Sequence, residues 1–319
     1  MVCTRGERTI AKGARPLRHR LAAALALGAL LGTGCLEDGP VGSAWRSIDV
    51  IVGPMQPELR NRAGAAGPFS GRLRLATFNV ALGEDVTALA DSLRASAALR
   101  ELDLLLVQEI ERHPGEERSR ADRLAELLDR SYLYAPARLT DDGGTHGLAV
   151  LSRWPLEDAQ VMELPYFELG LVSSQRIALA VTALVTGRPL RGIDVHLDTR
   201  LNLRDRLAQL RPVVTALPDQ VVVGGDFNSN PFLWLDRTMP MLPAYTVSSF
   251  DQADAIDEYM RALGYATPTE GSGSTFNLPA VPMRLDSVFV RGLPVESSGV
   301  DRSVVVSDHF PLWVELDWK

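Results

Sequence analysis

Cysteine is almost missing from this chain: Cys3 and Cys35 are the only two in 319 residues. Cys3 lies in a basic leader, so a chain beginning at Cys35 can close no internal disulfide. Its hydrophobic core must hold the fold unaided, which a chain of this size can do. A membrane-length apolar run is also missing. Leu21 to Gly34 (LAAALALGALLGTG) is uncharged but has only fourteen residues. As a helix it would reach about 21 Å, short of a hydrocarbon core of about 30 Å. Positive net charge is missing too. A formal charge of −7 gives no general attraction to nucleic acid phosphate. That argues against a dedicated, tight DNA-binding surface, although local charge and metal at a cleft can outweigh the net value. Repeats and a second linker are absent, so residues 72–319 are expected to form one domain.

What is present begins with a leader holding Arg5, Arg8, Lys12, Arg15, Arg18 and Arg20, followed by the apolar stretch and small residues. That order describes an export signal over residues 1–34. Cys35 after Leu31-Gly32-Thr33-Gly34 resembles a bacterial lipoprotein signal, in which the cysteine is lipidated and becomes the new N-terminus. Gly32 stands where the usual signal has an aliphatic residue. The expectation is an envelope lipoprotein, on the outer membrane or facing the periplasm and tethered through Cys35; simple secretion is the alternative. Removing residues 1–34 takes away six basic residues and one acidic (Glu7), changing the formal charge from −7 to −12. Residues 36–71 are rich in Gly, Pro and Ala and read as a flexible tether, with Ser47 to Val52 as a candidate edge strand.

Within 72–319, alternating or continuous apolar runs predict strands at Arg72–Val80, Leu102–Ile110, Gly147–Ser152, Arg176–Thr186, Leu190–Leu197, Gln220–Asp226, Leu285–Val290 and Pro311–Trp318. Gly187-Arg188-Pro189 reads as the turn of a hairpin. Helices are predicted at Asp85–Glu101, Glu116–Arg130, Asn202–Leu217 and Ala255–Leu263. Hairpins between helices argue for mixed sheets covered by helices rather than a doubly wound parallel sheet.

Chemistry is marked where polar residues interrupt apolar strands. Asn79 lies in ATFNV, Glu109 in LLLVQEI, His196 in IDVHLD, and Asp226 and Asn228 in VVVGGDFNSN. Asp286 begins the MRLDSVFV strand, and Asp308-His309 follow VVVS. A carboxylate beside a buried strand is costly unless a partner or a metal compensates. One such interruption is usually a strand reaching solvent; six suggest strand ends converging on one site. Asp198 and Asp236 read as solvated surface, His146 as a loop residue at a site rim, and His113 as uninvolved.

The ordered set FNV, QE, GLAVLSRWP, VHL, GGDFN, RLDSVFV and SDHFP resembles the endonuclease/exonuclease/phosphatase superfamily over residues 73–314. The resemblance implies an α/β (α+β) fold: a four-layer α/β/β/α sandwich, two mixed sheets flanked by helices, as in DNase I. It implies a metal-dependent phosphoesterase using Mg²⁺ or Mn²⁺, hard cations that need only one or two carboxylates. Glu109 matches the main metal ligand, Asn79 the supporting asparagine, and Asp308 a residue that binds or supports metal. Asp226 and Asn228 match the GDxN pair, taken as lying two apart on an extended segment and pointing the same way. His309 matches the catalytic histidine, Asp286 the carboxylate that orients it, and His196 a phosphate-contacting residue. The chain lacks the Gly- and Arg-bearing loop of abasic-site nucleases and the Trp-containing motif of inositol polyphosphate phosphatases. Three readings follow: an exported, nuclease-like phosphodiesterase; a phosphatase or a lipid-directed diesterase; and a non-catalytic binding protein on the same fold. The expected partners are a phosphoester substrate such as nucleic acid and a membrane reached through Cys35, with the protein itself a monomer.

Overall fold

A computed structural model describes residues 43–62, 68–169, 173–215, 217–241, 252–277 and 282–319. The expected signal segment and Cys35 lie outside these residues. By internal packing the chain divides into Met1–Asp38 and Gly39–Lys319, and only the second contains described residues.

Two sheets form the centre. Strands β1 (Arg46–Ser47), β7 (Leu156–Glu163), β8 (Ile177–Val185), β9 (Arg188–His196), β10 (Val221–Asp226) and β13 (Asp286–Arg291) lie side by side in that order. The second sheet runs β14 (Val295–Val300), β15 (Leu312–Asp317), β3 (Arg72–Leu82), β4 (Leu104–Arg112), β6 (Thr145–Ser152), β5 (Ser131–Leu139) and β2 (Glu58–Arg60). Both sheets are mixed: β9–β10 and β3–β4 pair parallel, and the other neighbours pair antiparallel.

Their sequences explain burial on both faces. Side chains alternate along a strand, and in β3 Leu73 and Leu75 enter the core between the sheets while Ala76, Phe78 and Val80 face outward under helices. In β10, Val222 points inward and Val221 and Val223 point outward. Helices α1 (Val86–Ala95) and α2 (Arg120–Leu128) cover the seven-stranded sheet through Leu89, Leu93, Leu124 and Ala125. Helices α3 (Leu203–Val214) and α4 (Gln252–Ala262) cover the six-stranded sheet through Leu210, Val213, Ile256 and Met260. The result is the expected four-layer sandwich.

Several boundaries differ from the sequence reading, each for a local reason. Helix α1 stops at Ala95 because Ser96 is extended and its hydroxyl accepts the amides of Ala98 and Leu99. Helix α2 starts late because Ser119 caps it, accepting from the Asp122 amide. The hairpin turn is Thr186-Gly187, both at positive φ, the two-residue form that matches strand twist. Part of the presumed tether is built into the domain. Arg46–Ser47 pairs with β7 and Glu58–Arg60 with β5, the latter helped by Glu58 bonds to Arg112 and Ser119.

Candidate active site

Strand register assembles half of the site in one row. Asp226, the last residue of β10, is paired on one side with His196 at the end of β9 and on the other with Asp286 at the start of β13. The other sheet supplies Asn79 from the end of β3 and Glu109 from β4. Both parallel pairs therefore present their carboxyl ends to the same crevice, where α/β sheets bind ligands.

Glu109 is the strained member. It is the extra residue where the β4–β6 register shifts between Gln108 and Ile110, and its φ is 58°. A left-handed conformation is costly for a non-glycine residue. The bulge turns the side chain out of the ladder: Gln108 is wholly buried, while the Glu109 side chain keeps 29% exposure.

Across the crevice Asn79 Nδ2 donates to Asp226 Oδ2 at 3.0 Å. His196 Nε2 lies 3.5 Å from Asp226 and 3.7 Å from Glu109 Oε1. His309, in the loop before β15, is paired through Nδ1 with Asp286 Oδ2 at 2.8 Å, and its Nε2 lies 3.8 Å from Asp226 Oδ2. Ser307 holds that loop in place, donating to the Asn79 carbonyl and accepting from the His309 amide. Phe276 meets the His309 ring edge-on at 5.2 Å.

Burial and charge set the protonation states. Burial pushes the Asp226 carboxyl up to about 7, with Asp286 adding to the rise and His309, Asn79 and the Asn228 amide opposing it. Burial alone would lower His309, but the Asp286 and Asp226 carboxylates outweigh it and raise it to about 10. His196 moves the other way, well below its usual value, through burial and the positive charges of Arg176, His146, His309 and Arg138.

Two groups of side chains bring their ligand atoms within 4.8 Å of one another: Glu109, His196 and Asp226; and Asp226, Asp286 and His309. The second is already neutralised internally by the His309–Asp286 pair. The first joins two carboxylates to a neutral imidazole, a donor set that fits a divalent cation. Asp286 Oδ1 is buried with no hydrogen-bond partner, so the centre carries more acceptor capacity than the described protein atoms satisfy.

The expected residues Asn79, Glu109, His196, Asp226, Asp286 and His309 thus meet. Asn228 is adjacent, but it is not extended: φ is 51°. Its amide N–H donates back to Asp226 Oδ1, and its side chain donates to the Leu197 carbonyl. The local turn won because Asn side chains tolerate the left-handed region. Asp308 is exposed and outside both groups; its carbonyl accepts the Asn277 amide.

Two readings are corrected, those of Asp198 and His146, while His113 stays outside the site as expected. Asp198 is buried, not solvated, and binds Arg176 Nε at 3.0 Å and Gln209 Nε2 at 2.7 Å. His146 lies on β6, buried, with Nδ1 3.2 Å from Glu111. His113 bonds both Glu111 and Asp142. Arg176 and Arg206 were missed. Arg176 contacts both ring nitrogens of His196, at 3.1 and 3.0 Å. Arg206, fully buried, donates to the carbonyls of Asp198, Thr199, Leu201 and Phe227 and to the Gln252 side chain. An arginine on an otherwise amphipathic helix gives no sequence signal of burial.

The Endonuclease/Exonuclease/phosphatase family matches residues 76–309, and the chain belongs to that family. Among solved structures it is similar to an endonuclease/exonuclease/phosphatase family protein from Leptotrichia buccalis C-1013-b, at 16% identity and TM-score 0.55, covering 76% of this chain and 99% of that one. It is similar to the human Nocturnin catalytic domain with bound sulfate anion, at 16% identity and TM-score 0.55, covering 82% and 96%. It is also similar to a humanized D. rerio TDP2, at 17% identity and TM-score 0.52, covering 77% and 99%. At these identities the likeness shows the fold. A search of curated proteins gave no match.

Proposed function

We propose that the protein is an exported, metal-dependent phosphoesterase that hydrolyses phosphodiester bonds in the manner of a nuclease. The observation that carries this is Glu109, held in a left-handed bulge so that its carboxylate meets His196 and Asp226 from the other sheet. A binding surface has no need of that strained, charge-dense arrangement. Family membership supports hydrolysis of phosphoesters in general. Export and envelope tethering rest on residues 1–35 of the sequence.

Glu109 and Asp226 supply the carboxylate oxygens that would hold Mg²⁺ or Mn²⁺, with Asn79 donating to Asp226 and His196 beside both as the phosphate-contacting residue. The ion, when bound, would neutralise the phosphate charge and the departing oxygen. Asp226, fixed by the Asn79 amide and the Asn228 N–H, aims the attacking water and takes the proton it loses. As the new P–O bond forms in line, the bond to the leaving oxygen breaks. His309, kept cationic by Asp286, donates an N–H toward the phosphoryl oxygens as negative charge gathers there.

A second reading, a diester lying on a lipid surface, has one observation in its favour. The hairpin of β11 (Leu233–Leu235) and β12 (Met239–Met241) exposes Leu233, Leu235, Met239 and Met241. Trp234 ties it to Asn230, two residues beyond Asn228.

The test is hydrolysis of bis-p-nitrophenyl phosphate, p-nitrophenyl phosphate, plasmid DNA and phospholipid vesicles with Mg²⁺ or Mn²⁺. Wild type is compared with Glu109→Ala and His309→Ala. Diester and DNA cleavage that needs metal and falls about 10²-fold or more in both variants is expected. Cleavage confined to monoesters would replace the reading with a phosphatase, and cleavage confined to vesicles with the lipid reading. No turnover on any of the four would end the hydrolase reading.

A further inference from the structure

Beside the catalytic row a narrow cleft opens between the two sheets, lined by Arg138, His146, Gln175, Arg176 and His196. Its position follows from register. Arg138 and His146 are cross-strand partners on β5 and β6, and Arg176 immediately precedes β8 in the other sheet. The cleft ends on His196, whose Nε2 faces both Glu109 and Asp226.

The donors in this cleft are arranged to leave capacity for an anion. His146 uses Nδ1 on Glu111, which leaves its Nε2 for another partner. Arg176 spends Nε on Asp198 and NH1 against the His196 ring. Arg138 is half-buried, and no carboxylate lies within 4.0 Å of it among the described residues. The other arginines near the centre are occupied: Arg206 by four carbonyls and Gln252, and Arg120 by Glu116 and the Leu82 carbonyl. Arg138 faces the cleft with its N–H donors free of any carboxylate, and so available to an anionic ligand. Arg138 and His146, cross-strand partners that line one cleft with Arg176, offer guanidinium and imidazole N–H groups suited to the oxygens of a phosphate.

We propose that Arg138, His146 and Arg176 form a subsite for a second phosphate of the substrate, adjoining the one that is cleaved. The proposal rests on the phosphodiesterase reading and deepens it. The preferred substrate then carries successive phosphates, as a nucleic acid strand does, and the subsite grips the neighbouring phosphate while the catalytic row acts on the scissile one. Arg138 determines specificity through substrate binding and takes no part in bond breaking.

The experiment uses the full chain and three forms of thymidylyl-thymidine: unphosphorylated, with a 5′-terminal phosphate, and with a 3′-terminal phosphate. KM for cleavage with Mg²⁺ is measured for wild type, Arg138→Gln and Arg138→Lys. The same three compounds are then compared as ligands by thermal shift in EDTA. One of the phosphorylated forms is expected to show a KM about tenfold below the unphosphorylated one and a larger thermal shift. Arg138→Gln should bring both ratios close to one, and Arg138→Lys should restore part of the preference. Turnover without any preference for a terminal phosphate would overturn the subsite and leave the hydrolase reading standing. So would a preference that survives in Arg138→Gln. A preference seen only by thermal shift, with no turnover, would leave a phosphate-binding site but sink the hydrolase reading, and with it the subsite's place beside a cleaved phosphate. Neither turnover nor preference would overturn both.

Discussion

Single residues show their roles through what they give up. Asp286 places one oxygen on His309 and leaves the other buried without a partner. Replacing it with asparagine keeps the shape but removes the charge that orients and protonates the imidazole. Asp286→Asn is expected to lower kcat about 10²-fold or more with little change in KM. A KM effect with kcat intact would mean that Asp286 serves substrate binding instead. A second titratable pair lies at the rim. The Asp142 carboxylate, bonded to His113 at 2.6 Å, raises that imidazole above its ordinary value of 6.5, and Glu111 adds to the rise. A raised histidine stabilises the fold fully below its unfolded pKa, and that contribution fades as pH climbs through the folded value. Asp142 is in turn held well below the usual carboxylate range, chiefly by His113, so its side of the pair persists into acid. The tie between the 140–144 turn and β4 should therefore weaken on the alkaline side of pH 6.5. An NMR titration of His113 should give a midpoint above 6.5 in wild type and a lower one in Asp142→Asn; equal midpoints would contradict the assignment.

Elements were legible where their period was clean. β3, β4 and β10 could be read because apolar residues fill both faces, and their polar ends marked the site before any geometry was known. β5 was missed because Pro136 interrupts it; the strand survives by shifting register between Pro136 and Arg138, as proline in a strand requires. β14 was missed because VESSGV is polar, an edge strand with only partial burial. The bulge at Glu109 was invisible, since glutamate does not announce a positive φ, whereas the left-handed turn at Asn228 falls on a residue type that tolerates that region. What the sequence could not reveal is pairing: Arg176 with His196, or Arg206 with carbonyls brought together from separate loops. One glycine, by contrast, has a purely geometric reason. Gly225 has φ 149°, and a Cβ there would lie 1.9 Å from the Val195 carbonyl oxygen. That obstacle is backbone of the neighbouring strand and cannot swing away. Gly225→Ala should cost about 3 kcal/mol or more and disturb Asp226 next to it. Urea denaturation followed by circular dichroism measures this, and a loss under about 1 kcal/mol would show that β9 and β10 can move apart.

At the scale of the whole molecule, the site is a seam. The seven-stranded sheet brings Asn79, Glu109 and the His309 loop; the six-stranded sheet brings His196, Asp226 and Asp286. The apolar core between the sheets aligns them, but few polar bonds cross near the site: Asn79 to Asp226, His309 to Asp286, and Gln108 to the buried Asp194 at 2.6 Å. Asp226 and Asp286 stand in adjacent register positions, so their repulsion works against folding until positive charge arrives. His309 supplies part of it. A divalent cation bound by Glu109 from one sheet and by Asp226 from the other would supply the rest and clamp the seam. Binding to the folded state alone stabilises by about 2.7 kcal/mol at a hundredfold excess over Kd. Adding Mg²⁺ or Mn²⁺ to protein stripped with EDTA should therefore raise Tm by several degrees. Glu109→Ala should lose most of that rise, since it removes the only ligand of the set that comes from the seven-stranded sheet. A rise of equal size in Glu109→Ala would place the cation on Asp226, Asp286 and His309 instead, and Glu109 would then need another reason for its strained bulge. No rise in wild type would remove the metal from the proposed chemistry altogether.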